Sequence, residues 1–223
     1  MNSRRSEAFP LQRREVAKVL LAERGDLLVI AGLGTTAWDA TAVGDHPLNF
    51  PLWGAMGGAA LIGLGLALAQ PERRVLVITG DGEVLMGLGG LATTGVQQPV
   101  NLALVVFDNE RYGETGMQAT HTAHGVDLAG IAKAAGFRVA GTVREAEELE
   151  AARQVIRTEA GPIFYAIKVR AERLPFVLPP KDGAHLKDRF RQALLGPNAV
   201  AAAPPVERFP RLRRTLRNAK DRS

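Results

Sequence analysis

The sequence predicts an α/β fold, a three-layer sandwich with a mainly parallel central sheet. Two observations carry this prediction. From residue 11 to about 169, short apolar runs alternate with helical patterns; spacers of about 10 to 15 residues suit helical crossovers between parallel strands rather than hairpin turns. In addition, two consecutive strand-like runs end in polar loops, ITGDGE and FDNERYGETG, and ligands of such sheets bind beyond the C-terminal ends of the strands. A chain of 223 residues can bury one substantial core but not two large cofactor domains. The division read from the sequence is a domain over residues 1–172 and a Pro-containing basic extension over 173–223.

The elements follow in order. Leu11, Val16, Val19 and Leu20 have amphipathic helical spacing, with Gly25 as the expected C-cap, and Leu27 to Ala31 forms a buried strand. The turn GLGTT comes next, and Pro47 to Trp53 reads as irregular. Ala55 to Ala69 is a helix whose glycines each lower its propensity by about 1 kcal/mol relative to alanine, so close approach to its backbone is expected. Strand RVLVIT (Arg74 to Thr79), a helix over Leu85 to Gln98 and strand NLALVVF (Asn101 to Phe107) follow. After a loop from Asp108 to about Gly125, helix DLAGIAKAAG, strand FRVAG, helix REAEELEAARQVIRTEAG and strand PIFYAIKV complete the alternation. Periodicity fades from Arg173 as prolines multiply. No internal repeat is present.

Composition narrows the function classes. The formal net charge of +5 is matched by residues 206–223, with seven Lys/Arg and two Asp/Glu, so the body is formally neutral. This basic segment lacks interleaved stacking aromatics and any nucleic-acid motif, so a solvated or partner-packed extension is expected, not a nucleic-acid site. The absence of cysteine removes disulfides and thiolate metal sites. Phe50 to Ala69 is a run of 20 uncharged residues, long enough for a bilayer, but it leads directly into a strand and GDG loop of the soluble pattern. No apolar signal core follows the N-terminus, and the expected location is cytoplasmic, without a membrane span.

In the loop after the first of the two strands, Gly80 and Gly82 permit a tight turn that presents N–H groups to an anion. Asp81 and Asn109 offer the hard oxygen ligands that magnesium prefers. GDG alone is a common turn. Asp81 and Asn109, however, lie 28 positions apart and are bridged by a helix and a strand. In this the sequence resembles the thiamine diphosphate enzymes, and specifically their diphosphate-binding domain. The resemblance extends from Leu11 to about Val169 and is greatest to the small subunits of sulfopyruvate decarboxylase and the corresponding half of phosphonopyruvate decarboxylase, through GDGEVLMGLGGLATTG, PVNLALVVFDN and RYGETG.

The resemblance implies a thiamine diphosphate-binding fold. It implies that Asp81, the Asn109 side chain and the Arg111 carbonyl hold a magnesium ion against the diphosphate. Gly82 and Glu83 would add backbone donors, and Tyr112 would line the cofactor site. LWGAMGG resembles the segment at the other end of the cofactor, where the Gly54 carbonyl accepts from the 4′-amino group and Met56 props the two rings into a bent shape. Met56 could equally be core. GLGTT resembles the loop whose hydroxyls touch the diphosphate, which would be Thr35 and Thr36, although either could be a helix N-cap. Glu83 and Arg111 depart from the family pattern, in which the first position is often Ser or Gly and the second small or apolar.

Chemistry of this kind also needs a carboxyl against the cofactor's pyrimidine, supplied in the family by a glutamate of a separate pyrimidine-binding domain. The patterned residues here are used up by one domain. The resemblance therefore implies a hetero-oligomer with a pyrimidine-binding subunit, acting on a small 2-oxo acid as a decarboxylase. The alternatives are a carboligase subunit and a non-catalytic cofactor-binding subunit. Arg111 and nearby histidines could meet the substrate's anionic group. His121 and His124, three positions apart, and His46 have no fixed role at this level, and His185 lies in the extension.

Overall fold

The computed structural model describes residues 5–199; the basic segment over 206–223 lies outside the described residues. Six strands form one fully parallel sheet: β1 (Leu28–Ala31), β2 (Asn49–Pro51), β3 (Val75–Gly80), β4 (Leu102–Asp108), β7 (Val139–Val143) and β8 (Ile163–Lys168). Their spatial order is β2-β1-β3-β4-β8-β7. A short antiparallel hairpin, β5 (Arg111–Tyr112) and β6 (Gln118–Ala119), stands apart from it. The α/β sandwich read from the sequence is the fold observed.

Because strand side chains alternate between faces, each apolar run supplies two cores. Leu28, Ile30, Val75, Val77, Leu102 and Leu104 point to one side, under α3 (Ala59–Ala69), α5 (Gly89–Gln97) and α6 (Leu128–Ala134). Leu27, Val29, Leu76, Ile78, Ala103 and Val105 point to the other, under α1 (Arg13–Leu21) and α7 (Ala146–Thr158). The uncharged run divides between β2 and the 11-residue α3, and no helix among the described residues is long and apolar enough to cross a membrane.

Several elements differ from expectation for local reasons. Helix α1 ends at Leu21 with Ala22 as its C-cap, rather than at Gly25, which occupies a positive-φ turn (φ 54°). The segment expected to be irregular contains β2, which pairs with β1 through Asn49, Phe50 and Pro51; as an edge strand it tolerates proline. The single helix expected over 85–98 is two, α4 (Asp81–Met86) and α5, broken at Gly87, where an added Cβ would lie 2.0 Å from the Gly57 carbonyl. Helix α2 (Thr35–Ala42) starts within the expected GLGTT turn. Beyond Arg173 a helix α8 (Gly183–Leu195) is capped by Asp182, buries Leu186 and Phe190, and sets Phe190 edge-on to Phe50 at 5.6 Å.

The glycines of α3 separate into two kinds. An added Cβ at Gly63 would lie 2.1 Å from Cγ2 of fully buried, β-branched Val77, whereas at Gly65 it would meet nothing within 4 Å. Gly63 is thus the close-approach glycine. In chemical denaturation of the isolated chain, Gly63→Ala is expected to lose about 1–3 kcal/mol by overpacking, while Gly65→Ala gains up to about 1 kcal/mol of helix propensity. Equal responses at both positions would contradict this packing.

Candidate functional site

The site is built by neighbouring strand ends. Strands β3 and β4 pair in register through Gly80 and Phe107, so the loops that follow leave the sheet side by side. Strand β3 runs directly into α4, with Gly80 as the extended N-cap and Asp81 as the first helical residue. After β4, Asn109 Oδ1 accepts from the Arg111 N–H at 2.9 Å, and Glu110 takes a positive φ of 60°, turning the chain into the β5–β6 hairpin. Strand β1 lies on the other side of β3 and delivers the turn before α2.

These loops enclose a cavity of about 180 Å3. Thr35, Met56, Gly80, Asp81 and Gly82 line it, and so do Glu83, Asn109, Arg111 and Tyr112. Nine of the sequence-derived positions are thereby brought together from four separate segments. Gly82 is there because Tyr112 needs the space: an added Cβ would lie 2.5 Å from the ring. Met56 is 41% exposed at the cavity wall, following Ala55, a non-glycine residue held at φ 58°.

Two positions are not brought to the cavity lining. Thr36 is buried and its hydroxyl donates to the Gly32 carbonyl at 2.9 Å, a bond within the start of α2, while Thr35 lines the cavity. Gly54 is exposed, two residues before Met56 in the chain. Glu83 lines the cavity but directs its side chain to the fold: Oε2 accepts from the Leu33 N–H at 3.0 Å and the Thr79 hydroxyl at 2.7 Å. Burial pushes this carboxyl above its ordinary value. Glycine at position 32 makes room for it, since a Cβ there would lie 2.1 Å from Oε2.

Asp81 is 2% exposed. Its Oδ2 accepts from the Thr120 hydroxyl at 2.6 Å and lies 3.2 Å from the Thr122 oxygen. Burial first, and the nearby Asp108 carboxylate second, push its carboxyl up to about 7. Asp108 in turn accepts from Thr122 at 2.8 Å and from Lys168 Nζ at 2.6 Å, and Lys168 also reaches Glu110 at 3.1 Å. Arg5 pairs with Glu110 from outside. The sequence reading missed Thr120, Thr122, Asp108 and Lys168. The signal was adjacent to one it weighed: in THTAH the histidines are exposed, and the two threonines are the buried, bonded members. His46 lies before β2, where Nδ1 accepts from the Leu48 N–H at 3.1 Å, and burial lowers its pKa.

Residues 33–167 match the model of the thiamine pyrophosphate enzyme C-terminal TPP binding domain. The chain belongs to the thiamine pyrophosphate enzymes. Within this family it is 38% identical over 186 residues to sulfopyruvate decarboxylase subunit beta of Methanothermobacter thermautotrophicus, covering 83% of this chain and 97% of that one. It is 35% identical over 201 residues to phosphonopyruvate decarboxylase of Streptomyces viridochromogenes, covering 90% of this chain but 50% of that protein. Among solved structures, benzoylformate decarboxylase from Polynucleobacter necessarius superimposes with a TM-score of 0.59 at 21% identity, covering 76% of this chain and 35% of that one, a likeness of fold.

The donors at the cavity suit the metal that a thiamine pyrophosphate enzyme domain would use. Asp81 has no ion-pair partner among the described residues, and buried charges are ordinarily paired or bound to metal. No group of three His, Cys, Asp or Glu is placed to hold a metal among those residues. One carboxylate, one amide oxygen and one carbonyl are nonetheless enough for magnesium, which keeps several waters and takes phosphate oxygens for the remaining positions.

A carboxyl whose pKa is raised on folding contributes stability that is complete below its unfolded pKa, about 4, and is lost as pH rises through its folded value. In the metal-free chain, Asp81→Asn is therefore expected to become progressively more stable relative to wild type between about pH 4 and about pH 7. Denaturation midpoints across that range test this, and a pH-independent difference would contradict the burial of an unpaired carboxylate.

Proposed function

We propose that the chain is the diphosphate-binding subunit of a thiamine diphosphate-dependent 2-oxo acid decarboxylase, completed by a separate pyrimidine-binding subunit. The observation that carries the reading is the buried Asp81, without an ion-pair partner among the described residues, and Asn109 at a cavity reached by Thr35, Gly82 and Met56. The relatives support it. One is named as a beta subunit of nearly this chain's extent, and in the other the matching region is half of a longer chain. Their names favour a small 2-oxo acid with a second anionic group, of the sulfopyruvate or phosphonopyruvate type.

In this reading Asp81, Asn109 and the Arg111 carbonyl hold magnesium, and the backbone at Gly80, Gly82 and Glu83 together with Thr35 receives the diphosphate. Bound thiamine diphosphate supplies the electron sink for breaking the bond to the departing carboxylate. Met56 would form an apolar wall beside the cofactor, and Gly54, exposed outside the cavity lining, would offer its carbonyl to the cofactor's amino group. The Arg111 guanidinium, which donates to the Glu110 carbonyl at 3.0 Å and belongs to a residue lining the cavity, is the group assigned to the substrate's second anionic group.

The partner reading has its own support. Of the cavity carboxylates among the described residues, Asp81 is assigned to metal, Glu83 is bound to Leu33 and Thr79, and Glu114 lies against Gly34. The outward residues of uncharged α3, Leu61 and Leu68, are 44% and 52% exposed, and Met86 is 68% exposed. Exposed apolar side chains of this kind are suited to cover by another protein. Residues 173–199 are part of the same subunit in this proposal, with the basic segment beyond as its extension.

The test is reconstitution. The purified chain alone is expected to be nearly inactive on sulfopyruvate and phosphonopyruvate, with turnover appearing on addition of a pyrimidine-binding protein of about 160 to 190 residues. Asp81→Ala and Asn109→Ala are expected to abolish magnesium-dependent cofactor binding by calorimetry. Full turnover by the chain alone, or unchanged binding in either variant, would refute the assignment. In the assembled enzyme Met56→Ala is expected to lower kcat on the order of a hundredfold with much less effect on cofactor affinity; wild-type turnover would make Met56 a packing residue only.

A further inference from the structure

The hydrogen-bond arrangement around Asp81 assigns work to residues beyond the metal ligands. Five charged groups meet at the ends of β3, β4 and β8: Asp81, Asp108 and Glu110 are acidic, and Lys168 and Arg5 are basic. With all five ionised, one negative charge is left over. Lys168 Nζ bonds to Asp108 Oδ2 at 2.6 Å and Glu110 Oε1 at 3.1 Å, and is not paired with Asp81. The surplus charge therefore rests on Asp81, the member of the group that lines the cavity with Asn109.

The hydroxyls between the two aspartates are equally specific. Thr120 and Thr122 have one hydrogen each, and their oxygens are 2.9 Å apart. The shortest contacts are Thr120 to Asp81 Oδ2 at 2.6 Å and Thr122 to Asp108 Oδ1 at 2.8 Å, which use both hydrogens. Asp81 Oδ2 is thus held by Thr120 and abuts Thr122 at 3.2 Å, while Oδ1 takes part in none of these threonine bonds. A core selected for stability alone gains nothing from two buried carboxylates facing one hydroxyl, since their repulsion and desolvation both oppose folding.

We propose that Thr120, Thr122, Asp108 and Lys168 form a positioning relay for Asp81. Thr120 fixes one Asp81 carboxylate oxygen and the rotamer, Thr122 holds Asp108 beside it, and Asp108 with Glu110 holds the fold's own ammonium away, so that the remaining charge is preset for a divalent cation. The relay rests on the magnesium reading given above. Outer-shell partners of this kind change metal affinity by about 10- to 100-fold when removed.

The experiment titrates the full-length chain with thiamine diphosphate at graded magnesium concentrations, comparing wild type with Thr122→Val, Thr122→Ser, Thr120→Val and Thr120→Ser. Valine keeps the shape and removes the hydroxyl; serine keeps the hydroxyl. Melting temperatures of the metal-free proteins are measured alongside. Each valine variant is expected to weaken magnesium-dependent binding about tenfold or more, each serine variant to recover to within about threefold of wild type, and the metal-free melting temperatures not to follow that order. Valine variants that bind like wild type would overturn the relay, as would serine variants as impaired as valine or affinity losses that simply track melting temperature. The relay fails alone if wild type binds and the valine variants match it; wild type that does not bind magnesium and cofactor at all would instead remove the functional reading, and the relay with it.

Discussion

Parallel pairing of β3 with β4 is the constraint on which the rest of the site depends. Each strand alone ends in an ordinary polar loop. In register, Gly80 opposite Phe107, they bring Asp81 and Asn109 to one edge although 28 residues separate them in the chain. The pairing is sustained by two apolar layers that share the same strands, with Val75 and Val77 facing α3 while Leu76 and Ile78 face the α1 and α7 side. A slip of one residue would exchange these layers and separate the two loops. Core packing and site geometry are thus set by the same register.

Charge is organised around that edge with comparable economy. The acidic surplus is gathered at β-strand ends, where Lys168 and Arg5 compensate Asp108 and Glu110 and leave Asp81 uncompensated. Glu83 is a second buried carboxylate of the same loop, but its bonds to Leu33 and Thr79 make it a tie between the β1 and β3 ends. The two acids of one GDGE loop therefore have different parts, one facing the cavity and one joining its walls. Their difference arises from neighbours, since Gly32 leaves space for the Glu83 carboxylate and the 120–122 segment supplies hydroxyls to Asp81.

The strands were legible because buried parallel strands are continuous apolar runs, and the ligand-type loops because Gly, Asp and Asn cluster where such runs stop. Other features depended on three-dimensional neighbours. Thr35 and Thr36 are adjacent and chemically identical; only the start of α2 directs one to the cavity and the other to the Gly32 carbonyl. The break between α4 and α5 follows from contact between Gly57 and Gly87, which no local pattern encodes. Helix α8 has few buried residues and proline-rich surroundings, so its amphipathic signal was weak, and its placement rests on Leu186, Phe190 and Phe50. In THTAH, histidine drew the metal question, whereas burial gave the bonding role to Thr120 and Thr122.

The central claim is that a buried carboxylate and its neighbouring amide, brought together by the β3–β4 register, form a divalent-cation site for a diphosphate cofactor. Its most direct test is anomalous diffraction from crystals of the protein grown with manganese, as a magnesium surrogate, and thiamine diphosphate. The account predicts one strong manganese peak within coordinating distance of both the Asp81 carboxylate and the Asn109 amide oxygen, adjoining diphosphate density at the Gly82 backbone. Manganese bound elsewhere, with the cofactor ordered but Asp81 still bonded only to Thr120, would contradict it.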